Sequence, residues 1–193
     1  GTQVMSLHGS LKSSEQDRVL KPSRHQKVVL ATNIAETSLT LDGVTAVVDS
    51  GLVRRPRFDA RLGLDRLETV AHSQASATQR AGRAGRTRAG RCIRLWSSQS
   101  QALKLAHDPP AISLSDLAPT VLQLYAWGTR PQIFEWFERP LDSAIETAEA
   151  LLIRLGALTE GEPRSLTPLG TQLARLPVHP RLGRVIVAGR ALG

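Results

Sequence analysis

The sequence predicts an α/β layer built on a parallel sheet with a protruding β-hairpin, followed by a mainly helical second part. Three observations carry this reading. Short β-branched runs such as "KVVLAT" and "VTAVVDSG" alternate with helical segments in the first half. Polar and apolar residues interleave around Gly63 in "RFDARLGLDRLETVAH". Beyond "HDPP" (His107 to Pro110) strands are scarce, and apolar residues recur at helical spacing.

Taken in order, "VMSLHG" reads as a strand. "SSEQDRVL" reads as a helix, with Ser13 and Gln16 at capping-box spacing and Pro22 stopping it. "KVVLAT" is short, apolar and β-branched, the pattern of a strand buried on both faces. "NIAETS" is a helical turn, and "VTAVVDSG" a second buried strand. This βαβαβ rhythm calls for parallel pairing, because a crossover helix returns the chain to the same edge of the layer. The hairpin follows, then "QRAGRAGR", then a further strand in "GRCIRLW", where Cys92 reads as a buried strand residue rather than a nucleophile.

In the second half, "SDLAPTVLQLYAWG" gathers Leu117, Val121, Leu124 and Tyr125 on one helix face, with Gly128 as its stop. "LDSAIETAEALLIRLG" does the same with Ile145, Ala148, Leu151, Leu152 and Leu155, closed by Gly156. "RSLTPLGTQLARL" places Thr167 as N-cap and Pro168 at the first helical position. Helices followed by a short strand pair predict a small winged-helix-like domain, and "LPVHPRLGRVIVAG" enters a further helix.

Of the 193 residues 41% are hydrophobic, enough for a packed core. The net charge of +8, from 25 Lys and Arg against 17 Asp and Glu, favours an anionic partner such as nucleic acid or nucleotide. A lone cysteine excludes an internal disulfide and fits a reducing cytoplasm. No apolar run approaches the roughly 20 residues of a membrane span, no secretory signal is visible, and no Cys/His cluster has metal-ligand spacing. A chain opening on Gly1 reads as a piece of a longer protein.

"QRAGRAGR", Gln79 to Arg86, holds three arginines and two glycines. If residues 76–86 form a helix opening at Ser76, a turn of about 100° per residue gathers Gln79, Arg83 and Arg86 within roughly 60° of one another. Arg80 falls to one flank. Two glycines inside a helix each cost about 1 kcal/mol against alanine, which predicts a backbone packed closely against a neighbour. Three readings of the stripe stand at this point: a phosphate clamp, a nucleic-acid strip, or a solvated turn. Gln79 either orients a water or closes a capping box with Ser76.

The stretch "ATNIAETSLTLDGVTAVVDSG" (Ala31 to Gly51), followed by "QRAGRAGR", resembles motifs V and VI of the DEAH-box helicases of superfamily 2. "LHGSL" resembles the segment before motif V. "LYAWG" and "LIRLGALTE…SLTPLGTQLARLPVHPRLGRVI" are similar to that family's winged-helix domain and the start of its ratchet domain. "RFDARLGLDRLETVAHSQASATQRAGRAGR" is most similar to the bacterial HrpB type. The resemblance covers nearly the whole chain. It implies a second RecA-like lobe over residues 1–108, lacking its first strand and helix, a winged helix over 109–168, and the beginning of a ratchet domain over 169–193.

The resemblance also implies roles. Arg83 and Arg86 become arginine fingers toward the γ-phosphate of ATP, and Gln79 places the lytic water. Ser38, Thr40 and Asp42 face or sense the nucleotide. Thr32, Asn33 and Thr37, with the backbone near Gly9 and Ser10, touch the backbone of single-stranded RNA. Short hydroxyl and amide side chains at strand ends suit that task, since they reach phosphate or sugar without reading bases. The hairpin around residues 58–69 abuts the RNA path; the nearby Arg54, Arg55, Arg57 and Arg61 form a basic cluster that reads either as solvated charge or as an RNA backbone contact.

Two departures from the family pattern stand out. Leu20 occupies the place of an adenine-stacking aromatic, and neither a GxxxxGK[ST] loop nor a DEAH tetrapeptide occurs. The Mg²⁺ ligands and catalytic base are therefore expected in an upstream lobe of the same protein. A non-catalytic RNA-binding module that kept the fold is the competing reading. A dinucleotide-binding enzyme is disfavoured, because "LHGSLKSSE" holds no GxGxxG.

Overall fold

The computed structural model describes the chain apart from residues 37, 38, 40, 60, 87 and 193 and the side chains of residues 191 and 192. It divides into two units, Gly1–Arg55 with Leu67–Asp108, and Pro56–Arg66 with Pro109–Gly193.

In the first unit, strand β1 (Gln3–Leu7) leads through helix α1 (Ser13–Leu20) to strand β2 (Lys27–Ala31). β1 and β2 pair in parallel, in register from Gln3↔Lys27 to Leu7↔Ala31. Leu7 and Val19 are buried between strand and helix. The cap of α1 lies one residue earlier than the sequence predicts. Lys12 is the N-cap, and its N–H donates to the Glu15 carboxylate at 3.2 Å. A carboxylate three residues into the helix answers both the orphan N–H and the positive helix end, which the amide of Gln16 does not. Gln16 instead donates to the Leu11 carbonyl.

Strand β3 (Ala46–Asp49) pairs in parallel with a later strand, β6 (Arg91–Arg94), from Ala46↔Arg91 to Asp49↔Arg94. Between them in the chain come the hairpin strands β4 (Leu52–Asp59) and β5 (Leu64–Ala71), which form their own two-stranded sheet. Helix α2 (Gln74–Gly82) follows and tightens into a 3₁₀ turn over Arg83–Gly85. The short helix α3 (Ser98–Ala102) comes after β6, capped by Ser97 Oγ on the Ser100 N–H.

The expected burial of the parallel strands on both faces does not hold. Val28, Leu30, Val48 and Ile93 are 43–63% exposed. Among the described residues each parallel pair is only two strands wide, so every one of these strands is an edge. Cys92 sits half-buried in β6.

The second unit carries the larger core. Helices α4 (Ala118–Ala126), α5 (Asp142–Arg154) and α6 (Pro168–Ala174) pack around Leu117, Val121, Tyr125, Ile145, Leu152 and Leu173, all buried. α4 and α5 end where Gly128 and Gly156 take the left-handed φ of 82° and 75° that the sequence anticipates. Thr167 Oγ1 accepts the Gly170 N–H at 2.9 Å, and Pro168 stands at the helix start, again as expected. The wing is a short antiparallel contact, Leu158 against Leu166, flanked by Thr159 N–H to Ser165 O and Thr167 N–H to Ala157 O. Helix α7 (Pro180–Leu192) completes the unit. Among the described residues no helix is long and apolar enough to cross a membrane.

Candidate functional site

Parallel pairing of β1 and β2 sets their carboxyl ends level, since Leu7 stands opposite Ala31. The Thr32 N–H continues the ladder by donating to the Leu7 carbonyl at 3.1 Å. Gly9 and Ser10 form a turn after β1, where Ser10 Oγ lies 2.9 Å from His8 Nδ1. Thr32 and Asn33 open a 3₁₀ turn after β2, and the Thr32 side chain is not used to cap it. Gly9, Ser10, Thr32 and Asn33 are all exposed, so one end of the sheet presents hydroxyl, amide and backbone groups together. Thr37, Ser38 and Thr40 lie outside the described residues. Asp42 is exposed in the turn that ends at Gly43.

α2 opens earlier than the sequence predicts. Ser73, not Ser76, is the N-cap, and its Oγ accepts the Ser76 N–H at 3.1 Å. A capping box between Ser76 and Gln79 is therefore ruled out, and Gln79 stands exposed inside the helix. The α-helix also gives way to 3₁₀ geometry at Arg83. Residues three apart eclipse one another in a 3₁₀ turn, so Arg83 and Arg86 remain on one side. The glycines do not mark a close backbone contact: no described atom lies within 4 Å of a Cβ placed at Gly82 or Gly85. The close approach falls at Gly90, where a Cβ would sit 1.9 Å from the Ala84 carbonyl oxygen.

The three stripe residues differ in their engagement. Gln79 and Arg86 are exposed. Arg83 is bound to the loop after β2: Nε donates to the Glu36 carbonyl at 2.9 Å, Nη1 to the Leu39 carbonyl at 3.0 Å, and Nη2 again to Glu36 O. The loop that begins at Thr32 and Asn33 thus runs directly under the arginine-bearing turn. Near the hairpin, Arg55 pairs with Asp108, while Arg54 and Arg61 are exposed.

Sequence reasoning missed the residues that hold this arrangement together. Arg80, set aside as a flank, donates through Nε to Glu36 Oε2 at 2.9 Å and through Nη1 to Asp49 Oδ1 at 2.9 Å and the Leu52 carbonyl at 3.0 Å. Ser76 Oγ donates to Glu36 Oε1 at 2.7 Å. Asp49, buried at the end of β3, also accepts the Gly51 N–H at 3.0 Å and faces His72 Nε2 at 3.1 Å. Burial pushes the Asp49 carboxyl up, yet the Gly51 N–H, Arg80 and His72 together hold it below the usual carboxylate range. The other ring nitrogen of His72 faces the Ser73 carbonyl at 2.9 Å, and the ring packs edge-on to Trp96. Lys104 Nζ donates to the Gly51 and His72 carbonyls and sits 4.7 Å from the centre of the Trp96 ring. Desolvation shifts this ammonium below its ordinary value. One local signal was present: an acidic residue closing an apolar strand, as in "VVDSG", is costly to bury without a cationic partner.

Comparison with known proteins shows what the chain is similar to. Residues 1–88 match the family described as "Helicase conserved C-terminal domain", and residues 148–178 match "Helicase associated domain (HA2), winged-helix". The chain is 41% identical over its whole length to the ATP-dependent RNA helicase HrpA of Escherichia coli (strain K12), covering 15% of that protein. It is 42% identical to E. coli HrpB over 95% of the chain and 23% of the relative. The probable ATP-dependent RNA helicase DHX34 of Mus musculus is 41% identical over 96% of the chain, of which it takes up 16% of the relative's length. The crystal structure of the E. coli DEAH/RHA helicase HrpB superposes with a TM-score of 0.89 at 41% identity, covering 97% of this chain and 24% of that one. The chain thus spans between 15% and 23% of these curated relatives. With fold and relatives in agreement, the chain carries the conserved C-terminal helicase domain and the winged helix that follows it, and it is homologous to DEAH-box helicases, of which it spans a part.

Proposed function

We propose that the chain is the C-terminal half of an ATP-dependent RNA helicase, in which hydrolysis at a cleft between two RecA-like lobes drives movement along RNA or its unwinding. Residues 1–108 serve as the second lobe, 109–168 as the winged helix, and 169–193 as the start of the ratchet domain. The observation that carries the reading is the path of one loop. It starts at Thr32 and Asn33, on the exposed sheet end beside Gly9 and Ser10, and reaches Glu36 and Leu39, whose carbonyls receive Arg83.

In this reading Gly9, Ser10, Thr32, Asn33 and Thr37 contact the sugar-phosphate backbone of single-stranded RNA, and Ser38, Thr40 and Asp42 respond to the nucleotide. Arg83 and Arg86 stabilise charge on the transferring γ-phosphoryl group of ATP, and Gln79 orients the attacking water. A guanidinium suits that task because it stays charged and forks two donors toward phosphate oxygens. Arg83 must exchange its loop carbonyls for phosphate oxygens, so nucleotide arrival and loop position are linked. Among the described residues no group of three or more His, Cys, Asp and Glu is arranged to hold a metal ion. The Mg²⁺ that accompanies ATP would be held by the N-terminal lobe, the partner of this one in the cytoplasmic protein.

The test is Arg86→Ala in the full-length protein. ATP hydrolysis should fall by about 10³-fold or more while RNA affinity stays nearly unchanged. Loss of RNA binding with hydrolysis intact would instead make the stripe a backbone-binding strip. The 193-residue chain alone should show essentially no ATP turnover.

A further inference from the structure

Arg80 belongs to the same helix as the nucleotide-facing stripe, yet its hydrogen bonds to Glu36, Asp49 and Leu52 point into the protein. Its Nε takes Glu36 on the loop side, and its Nη1 takes Asp49 and the Leu52 carbonyl on the hairpin side. The side chain is 16% exposed, Glu36 13% and Asp49 1%. The remaining acceptor positions are also in use. Ser76, from α2 itself, holds the second oxygen of Glu36, and Gly51 N–H and His72 share Asp49.

What the bridge joins gives it a role. Glu36 is also the residue whose carbonyl receives Arg83, so side chain and backbone of one loop residue hold two successive arginines of the stripe's helix. On the other side, Leu52 begins β4, and His72 directly follows β5. The His72 N–H donates to the Gly51 carbonyl, and its ring faces Asp49. The root of both hairpin strands therefore meets the same guanidinium that fixes the loop.

We propose that Arg80 is a positioning residue for the hydrolytic step: forked between Glu36 and Asp49, it sets the distance of α2, with Gln79, Arg83 and Arg86, from the loop and ties that distance to the hairpin root. The proposal rests on the reading that the stripe faces ATP. Lysine cannot replace this arginine, because a single ammonium is a point charge that does not reach two carboxylates at fixed angles. A helix loosened here still carries its phosphate-binding side chains but presents them out of line, and small misplacements of such groups are expensive in the transition state.

The experiment compares Arg80→Lys, Glu36→Gln and Arg86→Ala in the full-length protein. It measures steady-state ATP hydrolysis with saturating single-stranded RNA, unwinding of a tailed RNA duplex, and thermal melting. For Arg80→Lys the expected result is a kcat lowered about tenfold or more, a KM for ATP within about twofold of wild type, and fewer base pairs opened per ATP hydrolysed. Glu36→Gln, which leaves the Arg80–Asp49 pair in place, should move the same two readouts in the same direction. It decides the matter should Arg80→Lys melt within the assay range. Wild-type kcat and wild-type unwinding per ATP in Arg80→Lys would overturn the proposal, as would a loss of activity that merely follows the melting temperature. Arg86→Ala separates this failure from that of the underlying reading: normal hydrolysis in Arg86→Ala overturns the stripe itself, whereas its loss beside an unaffected Arg80→Lys overturns only the bridge.

Discussion

Arg80 Nη1 lies 2.9 Å from Asp49 Oδ1, and the aspartate side chain is 1% exposed. A carboxylate so far from water is tolerable only because the guanidinium, the Gly51 N–H and His72 surround it. The pair joins the end of a parallel strand to the helix that carries the arginine stripe.

Acid should reveal this pair. The folded state holds the Asp49 carboxyl below its ordinary value of 3.8, so its contribution to stability is present above that value and disappears as pH falls through the lower, folded one. Urea unfolding midpoints should drop as pH is taken below about 4, and the drop should be smaller in Asp49→Asn. At neutral pH the same substitution should cost about 1–3 kcal/mol, because Arg80 loses a charged acceptor. An unchanged acid slope in the variant would remove Asp49 from the account.

Tyr125 is the chain's single tyrosine, which makes it directly observable. Burial raises its phenol above the ordinary value of 10.0, and the hydrogen bond from its hydroxyl to Glu149 Oε1 at 2.7 Å raises it further. Tyrosinate absorbance near 295 nm should stay flat in the folded chain through pH 10, whereas chain unfolded in guanidinium should titrate near its ordinary value. The linked stability is fully present below 10.0 and is lost as pH rises through the higher folded value.

Glu149 is the polar centre of the second unit. Its buried carboxylate receives the Tyr125 hydroxyl, the Gln132 amide at 3.0 Å and the Arg164 guanidinium. Glu149→Ala breaks all three contacts at once and leaves Arg164 to its pairing with Glu162, so it should cost about 3–5 kcal/mol, read from chemical denaturation. A loss under about 1 kcal/mol would mean that water replaces the carboxylate freely.

Asn33 is exposed at the sheet end, at the first position of the turn after β2. In the full-length protein Asn33→Ala should weaken single-stranded RNA binding about three- to tenfold, equally for poly(A), poly(U) and mixed sequences, by fluorescence anisotropy. A loss confined to one base composition would point to base reading and against a backbone contact.

How much of this was legible depended on the range of the interaction. The helices of the second unit follow from apolar spacing within a single turn, and their ends from Gly128, Gly156, Thr167 and Pro168 acting on their own neighbours. The cap of α2 slipped from Ser76 to Ser73 because serines at both positions suit a cap, and only the hydrogen bond to the Ser76 N–H separates them. Within the stripe, helical geometry ranked Arg83 and Arg86 above Arg80 by direction alone. It had no means of knowing that Glu36 and Asp49 would meet the helix from elsewhere.

The sequence by itself determined the α/β order, the helical second half, the hairpin around Gly63 and the motifs that resemble those of the DEAH-box helicases. Each of these rests on periodicity, turn chemistry or residues adjacent in the chain. Tertiary structure alone decided that Asp49 is buried, that Arg83 lies on the Glu36 and Leu39 carbonyls, and that Arg80 joins loop to hairpin root. The physical reason is that a charge finds its partner through the pairing of distant strands, and burial then fixes how strongly the two are bound.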